Sequence, residues 1–357
     1  MSRRIVVAMS GGVDSSLAAA LLAARGDEVV GVTLALAGDA SRCCSLADAE
    51  DARRVAERLG IRFYVANYRD RFRREVIEAF ADAYLEGRTP IPCVVCNQRF
   101  KFHHLLERAA ALGAERVATG HYARLDRVPE TGTFHLRRGR DRAKDQSYYL
   151  FDLRQEQLAR IEFPLGDLEK REVRERARAL GLRTAEKPES QEICFVPGGD
   201  YARVVEALRP ERLPGEGEIV DESGRVLGRH PGIHHFTVGQ RRGLAVSSDR
   251  RLYVKRIEAD ANRVVVSDLD GLAVPAARLE RVSWIAGTAP AEPVHASVQV
   301  RYRHEGAPAK IEPTADGGAW LRFDEPVRAV APGQAAVFYE GDVVLGGGWI
   351  VRTVEDA

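Results

Sequence analysis

Residues 5–16 read IVVAMSGGVDSS, and an alanine- and leucine-rich stretch, residues 17–24, follows directly. The apolar start predicts a buried strand, and the second stretch predicts a helix. Between them, Gly11 and Gly12 allow a tight turn and a close approach to a ligand, because no Cβ stands in the way. The N–H groups at the start of the helix attract an anion, and the serine hydroxyls and Asp14 add polar groups beside them. The sequence therefore predicts an anion-binding loop between a strand and a helix.

This loop differs from two common phosphate-binding motifs. It lacks the lysine that follows the last glycine of G-x-x-x-x-G-K-[ST], and its glycines do not have the spacing G-x-G-x-x-G. It resembles the pyrophosphate loop (PP-loop) of the ATP-pyrophosphatase enzymes, which release pyrophosphate and attach AMP to a substrate oxygen. An ordinary Gly-Gly turn is the alternative, but a strand, hydroxyls and a helix in register favour the nucleotide loop.

Length and composition predict a protein of two or three domains in the cytosol. The chain has 357 residues, of which 45% are hydrophobic and 29% charged, and its net charge is +1. That charge neither indicates nor excludes a nucleic-acid partner, because a local basic patch is sufficient. No apolar run approaches the length of a membrane span, and no signal-peptide pattern is present, so we expect no membrane partner and reduced cysteines.

The first part of the chain alternates strands and helices. Strands are predicted at residues 27–36, 62–66 and 116–119, and helices at 45–60, 72–84 and 97–112. This alternation predicts a parallel sheet that is covered on both faces, with ligands bound beyond the carboxyl ends of its strands. Ser10, Leu34 and Gly120 all fall at such ends, where one nucleotide could contact all three.

The character of the sequence changes near residue 200, where glycine, proline and short β-rich runs become frequent. Such runs occur at residues 215–220, 235–240, 296–302 and 334–339. The predicted architecture is an α/β, parallel-sheet adenine-nucleotide (PP-loop) domain at residues 1–200, a small linker domain at 201–272 and a C-terminal β-barrel at 273–357.

The five cysteines suggest reactive thiols. Cys93 and Cys96 form a single C-x-x-C pair, whereas a closed zinc site usually needs four ligands, so zinc is disfavoured. Cys96 is placed at a predicted helix start, where the dipole favours the thiolate. A buried, inert cysteine is the alternative at each position, and it is favoured for the adjacent Cys43 and Cys44. AMP would turn a carbonyl oxygen into a good leaving group, a persulfide would supply sulfur, and a second cysteine would break the S–S bond.

A basic run at residues 137–144 contains five cations and precedes a polar, aromatic segment. Further basic sites are Arg241-Arg242 and the segment Arg301-Tyr302-Arg303. Charge runs are often only solvated faces. Arginines on phosphates and aromatic rings on bases would nevertheless suit a splayed-out RNA nucleotide.

Taken together, these features closely resemble the tRNA-specific 2-thiouridylases, and the resemblance runs essentially from end to end. The segments that carry it are Ser10–Ser16, Ala118–Tyr122, Lys144–Tyr148, Phe163–Gly166, Ser190–Cys194, Val238–Leu244, Pro332–Gln334 and Leu345–Gly348. The resemblance implies ATP-dependent 2-thiolation of the wobble uridine of tRNA, with AMP and pyrophosphate as by-products. It also implies a cysteine desulfurase or a sulfur-relay protein as sulfur donor, and magnesium with ATP.

The resemblance further implies the following site residues, position by position. Cys96 would be the nucleophile and Cys194 the persulfide carrier. ATP would be held by Ala8, Met9, Ser10, Gly11, Gly12, Val13, Asp14, Ser15, Leu34 and Gly120. The tRNA would be contacted by Ile91, Pro92, Cys93, His121, Lys144, Asp145, Gln146, Arg301, Tyr302 and Gln334, with residues 91–93 facing the target base.

Two positions depart from the family pattern. Ile91 stands where many members carry asparagine, and Cys93 where some carry an aspartate that is proposed as an acid/base. A thiol, with an ordinary pKa near 8.5, is a weaker substitute for that aspartate. Cys93, Cys96 and Cys194 could instead ligate an iron–sulfur cluster, although such clusters usually take four cysteines. Two rival functions remain: amidation by another adenylating enzyme, which needs no thiols, and RNA binding with the loop as a nucleotide sensor.

Overall fold

The structure, a computed structural model, describes residues 3–37, 45–189 and 193–354. Cys43 and Cys44 lie outside the described residues, as do Ser190, Gln191 and Glu192 of the segment before Cys194. In the described part of the chain, no helix has the length and apolar character needed to cross a membrane.

Up to residue 118, the strands and helices follow one another in the predicted order. The strands are β1 (Arg4–Ala8), β2 (Glu28–Ala35), β3 (Arg62–Asn67), β4 (Arg116–Ala118), β5 (Ala123–Arg127), β6 (Phe134–Arg138), β7 (Ile161–Glu162), β8 (Gly217–Asp221), β9 (Val226–His230), β10 (Tyr253–Glu258), β11 (Arg263–Ser267), β12 (Ala273–Trp284), β13 (Val294–Gln299), β14 (Ala307–Pro313), β15 (Ala319–Arg328), β16 (Ala335–Glu340) and β17 (Val343–Val354). The α-helices are α1 (Val13–Ala24), α2 (Leu46–Leu59), α3 (Arg69–Phe72), α4 (Ala79–Leu85), α5 (Pro92–Val95), α6 (Leu105–Ala111), α7 (Gln155–Leu158), α8 (Lys170–Ala179) and α9 (Tyr201–Leu208). Two π-helical stretches, Arg73–Glu78 and Cys96–His104, connect α3 to α4 and α5 to α6.

The first sheet is parallel, as the alternation of strands and helices predicts. Its order is β3-β2-β1-β4-β7, with every pairing parallel. The central strand β1 is fully buried at Ile5, Val6 and Val7, because helices pack against both faces. Ser10 and Gly120 follow the carboxyl ends of the neighbouring strands β1 and β4, so both lie at the same edge of the sheet.

The predicted start of the second helix is confirmed in detail. The Ser45 hydroxyl accepts the Asp48 N–H at 3.1 Å, and the Asp48 carboxylate accepts the Ser45 N–H at 3.0 Å. At the other end, Gly60 takes the left-handed φ of +65°, which ends the helix.

The helix with the C-x-x-C pair begins earlier than the sequence predicts. It starts at Pro92 and not near Asn97, because proline has no N–H and therefore suits the first helical position. The Cys96 N–H is already bonded to the carbonyls of Cys93 and Pro92. Cys96 therefore lies one turn inside the helix, and Cys93 is the cysteine in the first turn, where the dipole acts.

The second sheet has the order β10-β11-β8-β9 and belongs to the small middle unit. Here the expectation of a β-rich run at residues 235–240 is wrong. Ile233–His235 forms a 3₁₀ helix, and a turn with Gly239 at φ +87° follows. The Gln240 side chain accepts the Thr237 N–H at 3.0 Å, and this local bond stabilises the turn in place of a strand.

The C-terminal unit is a closed antiparallel barrel. Strands β12, β15, β14, β13, β16 and β17 form a ring that closes where β12 pairs with β17. The hairpin β5–β6, from the first part of the chain, extends this sheet through the pair Val343–Arg137. Backbone pairing therefore joins the barrel to the β5–β6 hairpin, which follows β4 and Gly120 in the sequence.

Candidate nucleotide and thiol site

The PP-loop (residues 8–15) packs closely on the start of α2. Gly11 has a φ of +70°, and a Cβ at this position would lie 2.2 Å from the carbonyl oxygen of Asp48. The Ser10 N–H donates to the Ser15 hydroxyl at 3.1 Å, and that hydroxyl donates to the Gly12 carbonyl at 3.2 Å. No described side chain caps the start of α1, so its first N–H groups remain available to an anion.

The strand ends hold the other predicted ATP residues against this loop. A Cβ on Gly120 would lie 2.8 Å from the Ser15 nitrogen, so only glycine fits there. The Met9 N–H donates to the Val32 carbonyl at 2.9 Å, which fixes the exit of β1 on β2. Leu34 and Val13 are buried. The structure thus brings the predicted ATP residues of β1, β2 and the turn after β4 to one place.

Asp14 is bound by two partners that the sequence analysis did not single out. Both of its carboxylate oxygens accept hydrogen bonds from the Lys170 ammonium at 2.8 Å, and Oδ1 also accepts the Tyr122 hydroxyl at 2.8 Å. Burial and the neighbouring Asp14 charge raise the pKa of Tyr122, so its hydroxyl stays protonated and donates. Mg²⁺ is usually held by one or two carboxylates together with substrate phosphates. Asp14 fits that role as the loop's carboxylate.

Glu189 receives three cations next to the loop. Its carboxylate lies 2.6 Å from the Lys144 ammonium, 3.0 Å from the Lys170 ammonium and 3.5 Å from the Arg174 guanidinium. Burial by itself raises the pKa of Glu189, but the hydrogen bonds and charges of the two lysines outweigh it and lower that pKa to about 2. This cluster therefore connects the loop to the segment that leads to Cys194.

A pH titration should report this contact. Because the pKa of Glu189 is lowered on folding to about 2, its stabilising effect is complete above the ordinary glutamate pKa of about 4.3 and is lost as the pH falls towards the folded-state value. We expect the difference in unfolding free energy between the wild type and Glu189→Gln to be constant near neutral pH and to shrink in acid. Denaturant unfolding over this range measures it, and a difference that does not vary with pH would contradict the assignment.

The three described cysteines all contact one hydrophobic core. Cys96 is buried in that core, and Cys93 and Cys194 pack against it while partly exposed. Phe195, next to Cys194, lies edge-on to Phe72 and Phe80 at ring-centre distances of 6.1 and 5.2 Å. These contacts attach the Cys194 segment to the helical stretch at residues 69–85, which packs in the same core as Cys93 and Cys96.

One aromatic ring of the C-terminal unit, that of Tyr302, lies near the C-x-x-C helix. The rings of Tyr302 and Tyr149 lie 4.7 Å apart, and the Asn97 amide donates to the Tyr149 carbonyl at 3.4 Å. Burial raises the pKa of Tyr149, and Cys93 adds to that effect. Tyr302 therefore lies close to the predicted base-facing segment, whereas Arg301 is exposed and donates to the Arg328 carbonyl at 3.2 Å.

Gln334 positions the chain just before the base-facing triplet. Its amide donates to the Thr89 carbonyl at 2.9 Å, and the Thr89 N–H donates to the Pro332 carbonyl at 2.8 Å. Ile91 and Pro92 are buried two and three residues further on. The C-terminal unit is therefore hydrogen-bonded to Thr89, two residues before the predicted base-facing triplet 91–93.

The remaining predicted tRNA residues surround the turn after β4. Burial lowers the pKa of His121 well below its ordinary value, so its ring is neutral, and its Nδ1 lies 2.7 Å from the Thr119 hydroxyl oxygen. The Gln146 side chain accepts the Tyr122 N–H at 3.0 Å. Asp145 is buried and accepts hydrogen bonds from the N–H groups of Gly139 and Ser147, the Ser147 hydroxyl and the Arg138 guanidinium.

Removing the Asp145 carboxylate should destabilise the fold. Asp145→Ala leaves Arg138 without its buried partner, so we expect a loss of about 3–5 kcal/mol of unfolding free energy. The control is Asp126→Ala, because Asp126 pairs with Arg137 at an exposed site, and we expect it to cost at most about 1 kcal/mol. Denaturant unfolding of both variants measures the difference, and equal losses would contradict the burial argument.

The basic run is paired with acids and is not an open cationic surface. Every one of its five cations has a carboxylate partner. The pairs are Arg137 with Asp126, Arg138 with Asp145, Arg140 with Glu172, Arg142 with Asp342, and Lys144 with Glu189. Three of these carboxylates, those of Glu172, Asp342 and Glu189, are distant in sequence. The sequence of the run alone therefore overstates its net positive charge in the folded protein.

The iron–sulfur alternative has a partial ligand set. Within the described residues, the only cysteines are Cys93, Cys96 and Cys194, one short of the usual four. The compact groupings that could hold a single ion in the described residues are His103–His104–Glu107 and Glu206–His234–His235, and neither includes a cysteine. Cys93, Cys96 and Cys194 therefore belong to no compact single-ion grouping of the described residues.

Comparisons with known proteins agree with this architecture. Residues 3–198 match the family model described as tRNA methyl transferase HUP domain, residues 205–268 the tRNA methyl transferase PRC-barrel domain, and residues 275–350 the aminomethyltransferase beta-barrel domain. The chain is 51% identical to the tRNA-specific 2-thiouridylase of Koribacter versatilis, covering 98% of this chain and 99% of the relative. The corresponding protein of Geobacter metallireducens is 52% identical, with 98% and 96% covered. A solved 4-thiouridine synthetase–RNA complex with bound ATP is more distant, with 19% identity, a TM-score of 0.38, and 59% and 51% covered.

The parallel sheet with a glycine loop at its edge, followed by the middle unit and the closed barrel, defines the class of proteins that these three family models describe. Within that class, identity near 50% over almost the whole length decides the family. The chain belongs to the tRNA-specific 2-thiouridylases.

Proposed function

We propose that this protein replaces the C2 oxygen of the wobble uridine in tRNA by sulfur, at the expense of ATP, in the cytoplasm. The relatives named above are called tRNA-specific 2-thiouridylases. The observation that carries the proposal is the pairing of a PP-loop at the sheet edge with cysteines on one shared core. Neither amidation nor nucleotide sensing needs these thiols.

In the first step, the uridine C2 oxygen attacks the α-phosphorus of ATP, and pyrophosphate leaves. Residues 10–15 and the start of α1 bind phosphate oxygens through N–H groups, while Gly120 and Leu34 border the nucleotide. Mg²⁺, with Asp14 as a ligand, would neutralise the phosphates. The target base enters beside residues 91–93, with Tyr302 and Gln334 contributed by the barrel.

In the second step, the terminal sulfur of a persulfide on Cys194 attacks C2, and AMP leaves with the former C2 oxygen. The Cys96 thiolate then attacks Sγ of Cys194 and breaks its bond to the transferred sulfur. This leaves 2-thiouridine and a Cys96–Cys194 disulfide, which a cellular dithiol reduces. A cysteine desulfurase or a sulfur-relay protein restores the persulfide.

A mercury-containing gel tests the proposal. Unmodified tRNA is incubated with the protein, ATP, Mg²⁺ and a persulfide source, and we expect a retarded band that depends on ATP. Pyrophosphate release without retardation would favour amidation, and tRNA binding without pyrophosphate release would favour the RNA-binding alternative. The mass of the modified nucleoside distinguishes sulfur insertion from the methyl transfer that two of the family-model descriptions name.

A further inference from the structure

The cluster of Lys144, Lys170 and Arg174 around Glu189 has the composition of an anion-binding site. Two ammonium groups and one guanidinium converge on a single carboxylate at 2.6, 3.0 and 3.5 Å. Phosphate oxygens are bound by the same donors in similar geometry. Glu189 therefore occupies a place that an oxyanion of higher charge could take.

This cluster lies directly beside the PP-loop. Lys170 is 9% exposed, and its ammonium contacts both oxygens of Asp14 at 2.8 Å as well as Glu189 at 3.0 Å. Burying an ammonium is costly unless anions surround it. Lys170 is held at the loop by those two carboxylates, on the helix that follows the Phe163–Gly166 segment.

The loop itself carries no cation. Residues 8–16 contain neither lysine nor arginine, whereas the G-x-x-x-x-G-K-[ST] loop supplies its own lysine to the β- and γ-phosphates. A triphosphate bound through N–H groups and one Mg²⁺ would still keep part of its charge uncompensated. Lys170 reaches the loop from 156 residues further along the chain and can supply that charge.

We propose that Lys170, with Lys144 and Arg174, forms the subsite for the β- and γ-phosphates of ATP, and that Glu189 is displaced from these cations when ATP binds. The proposal rests on the proposed function in taking ATP as the substrate. The β- and γ-phosphates, which leave as pyrophosphate, would thus be bound by side chains that lie outside the PP-loop.

Two substitutions with opposite expected effects test this subsite. Lys170→Met should weaken ATP binding about tenfold or more, because a charge-assisted bond is lost, and should leave AMP binding nearly unchanged, because AMP lacks the outer phosphates. Glu189→Gln should tighten ATP binding several fold, because the competing charge is removed. Isothermal titration calorimetry with ATP and with AMP measures both, and Lys170→Arg tests whether charge alone is sufficient.

Arg171→Met is the matched control, since Arg171 lies next to Lys170 on α8 but is exposed and pairs with Glu175. A purely structural ion pair predicts that Lys170→Met and Glu189→Gln weaken ATP and AMP binding alike, and this result would overturn the subsite. If Lys170→Met does not fold, failure of Glu189→Gln to tighten ATP binding also overturns it. A wild-type protein that binds no ATP would instead overturn the proposed function.

Discussion

Replacing Cys194 by serine is expected to abolish sulfur transfer while tRNA binding stays nearly intact. Serine cannot carry a persulfide, so thiolation should fall by about a thousandfold or more, as for other removed covalent groups. Cys194 is only partly buried against the core, whereas the adjacent Phe195 is buried and packs on Phe80. The local fold should therefore persist in the variant. The mercury gel measures thiolation, and a filter-binding assay measures tRNA affinity.

Two further variants separate the possible mechanisms. Cys96→Ser should also stop turnover, because the S–S bond is then not broken by a second thiol. Cys93→Ser should retain thiolation if a persulfide carries the sulfur, whereas it should lose both thiolation and bound iron if three thiolates hold a cluster. Pyrophosphate release should continue in Cys194→Ser, and a large loss of tRNA affinity there would contradict the role assigned to Cys194.

The sequence predicted those parts of the site that depend on neighbours along the chain. The strand, the loop and the helix around Gly11 are consecutive in the sequence and form one βα unit. The capping box of the second helix spans only the four residues from Ser45 to Asp48. The C-x-x-C helix was predicted to start at residue 97 and starts at Pro92, because a proline is also typical of an extended segment. Proline is equally compatible with the first turn of a helix, and only the packing of the chain selects between the two.

The parts that were missed depend on contacts between distant segments. Lys170 meets Asp14 across 156 residues and Glu189 meets Lys144 across 45 residues, so no local pattern marks them as partners. The only available signal was their place beside the Phe163–Gly166 and Ser190–Cys194 segments. The pairing of β6 with β17 is equally non-local, and it was predicted neither by the hairpin nor by the barrel strands.

Gly11→Ala is expected to weaken ATP binding about a hundredfold. Its Cβ would lie 2.2 Å from the Asp48 carbonyl oxygen, a backbone atom at the capped start of α2 that cannot move without disturbing the Ser45–Asp48 cap. The loop must therefore shift away from α2. We expect the ATP affinity measured by calorimetry to fall about a hundredfold, because the shifted loop would lose one or two hydrogen bonds to the charged phosphates.

Gly26→Ala is the matched control for backbone strain. Gly26 has a φ of +92° at the other end of α1, and a Cβ there would meet no atom within 4 Å. It should cost about 1–2 kcal/mol of unfolding free energy from the left-handed conformation alone and leave the ATP affinity unchanged. Gly11→Ala carries the same strain together with the collision, so it should be the less stable variant and the only one that binds ATP more weakly. Equal ATP affinity in the two variants would show that the contact between the loop and α2 does not position the nucleotide.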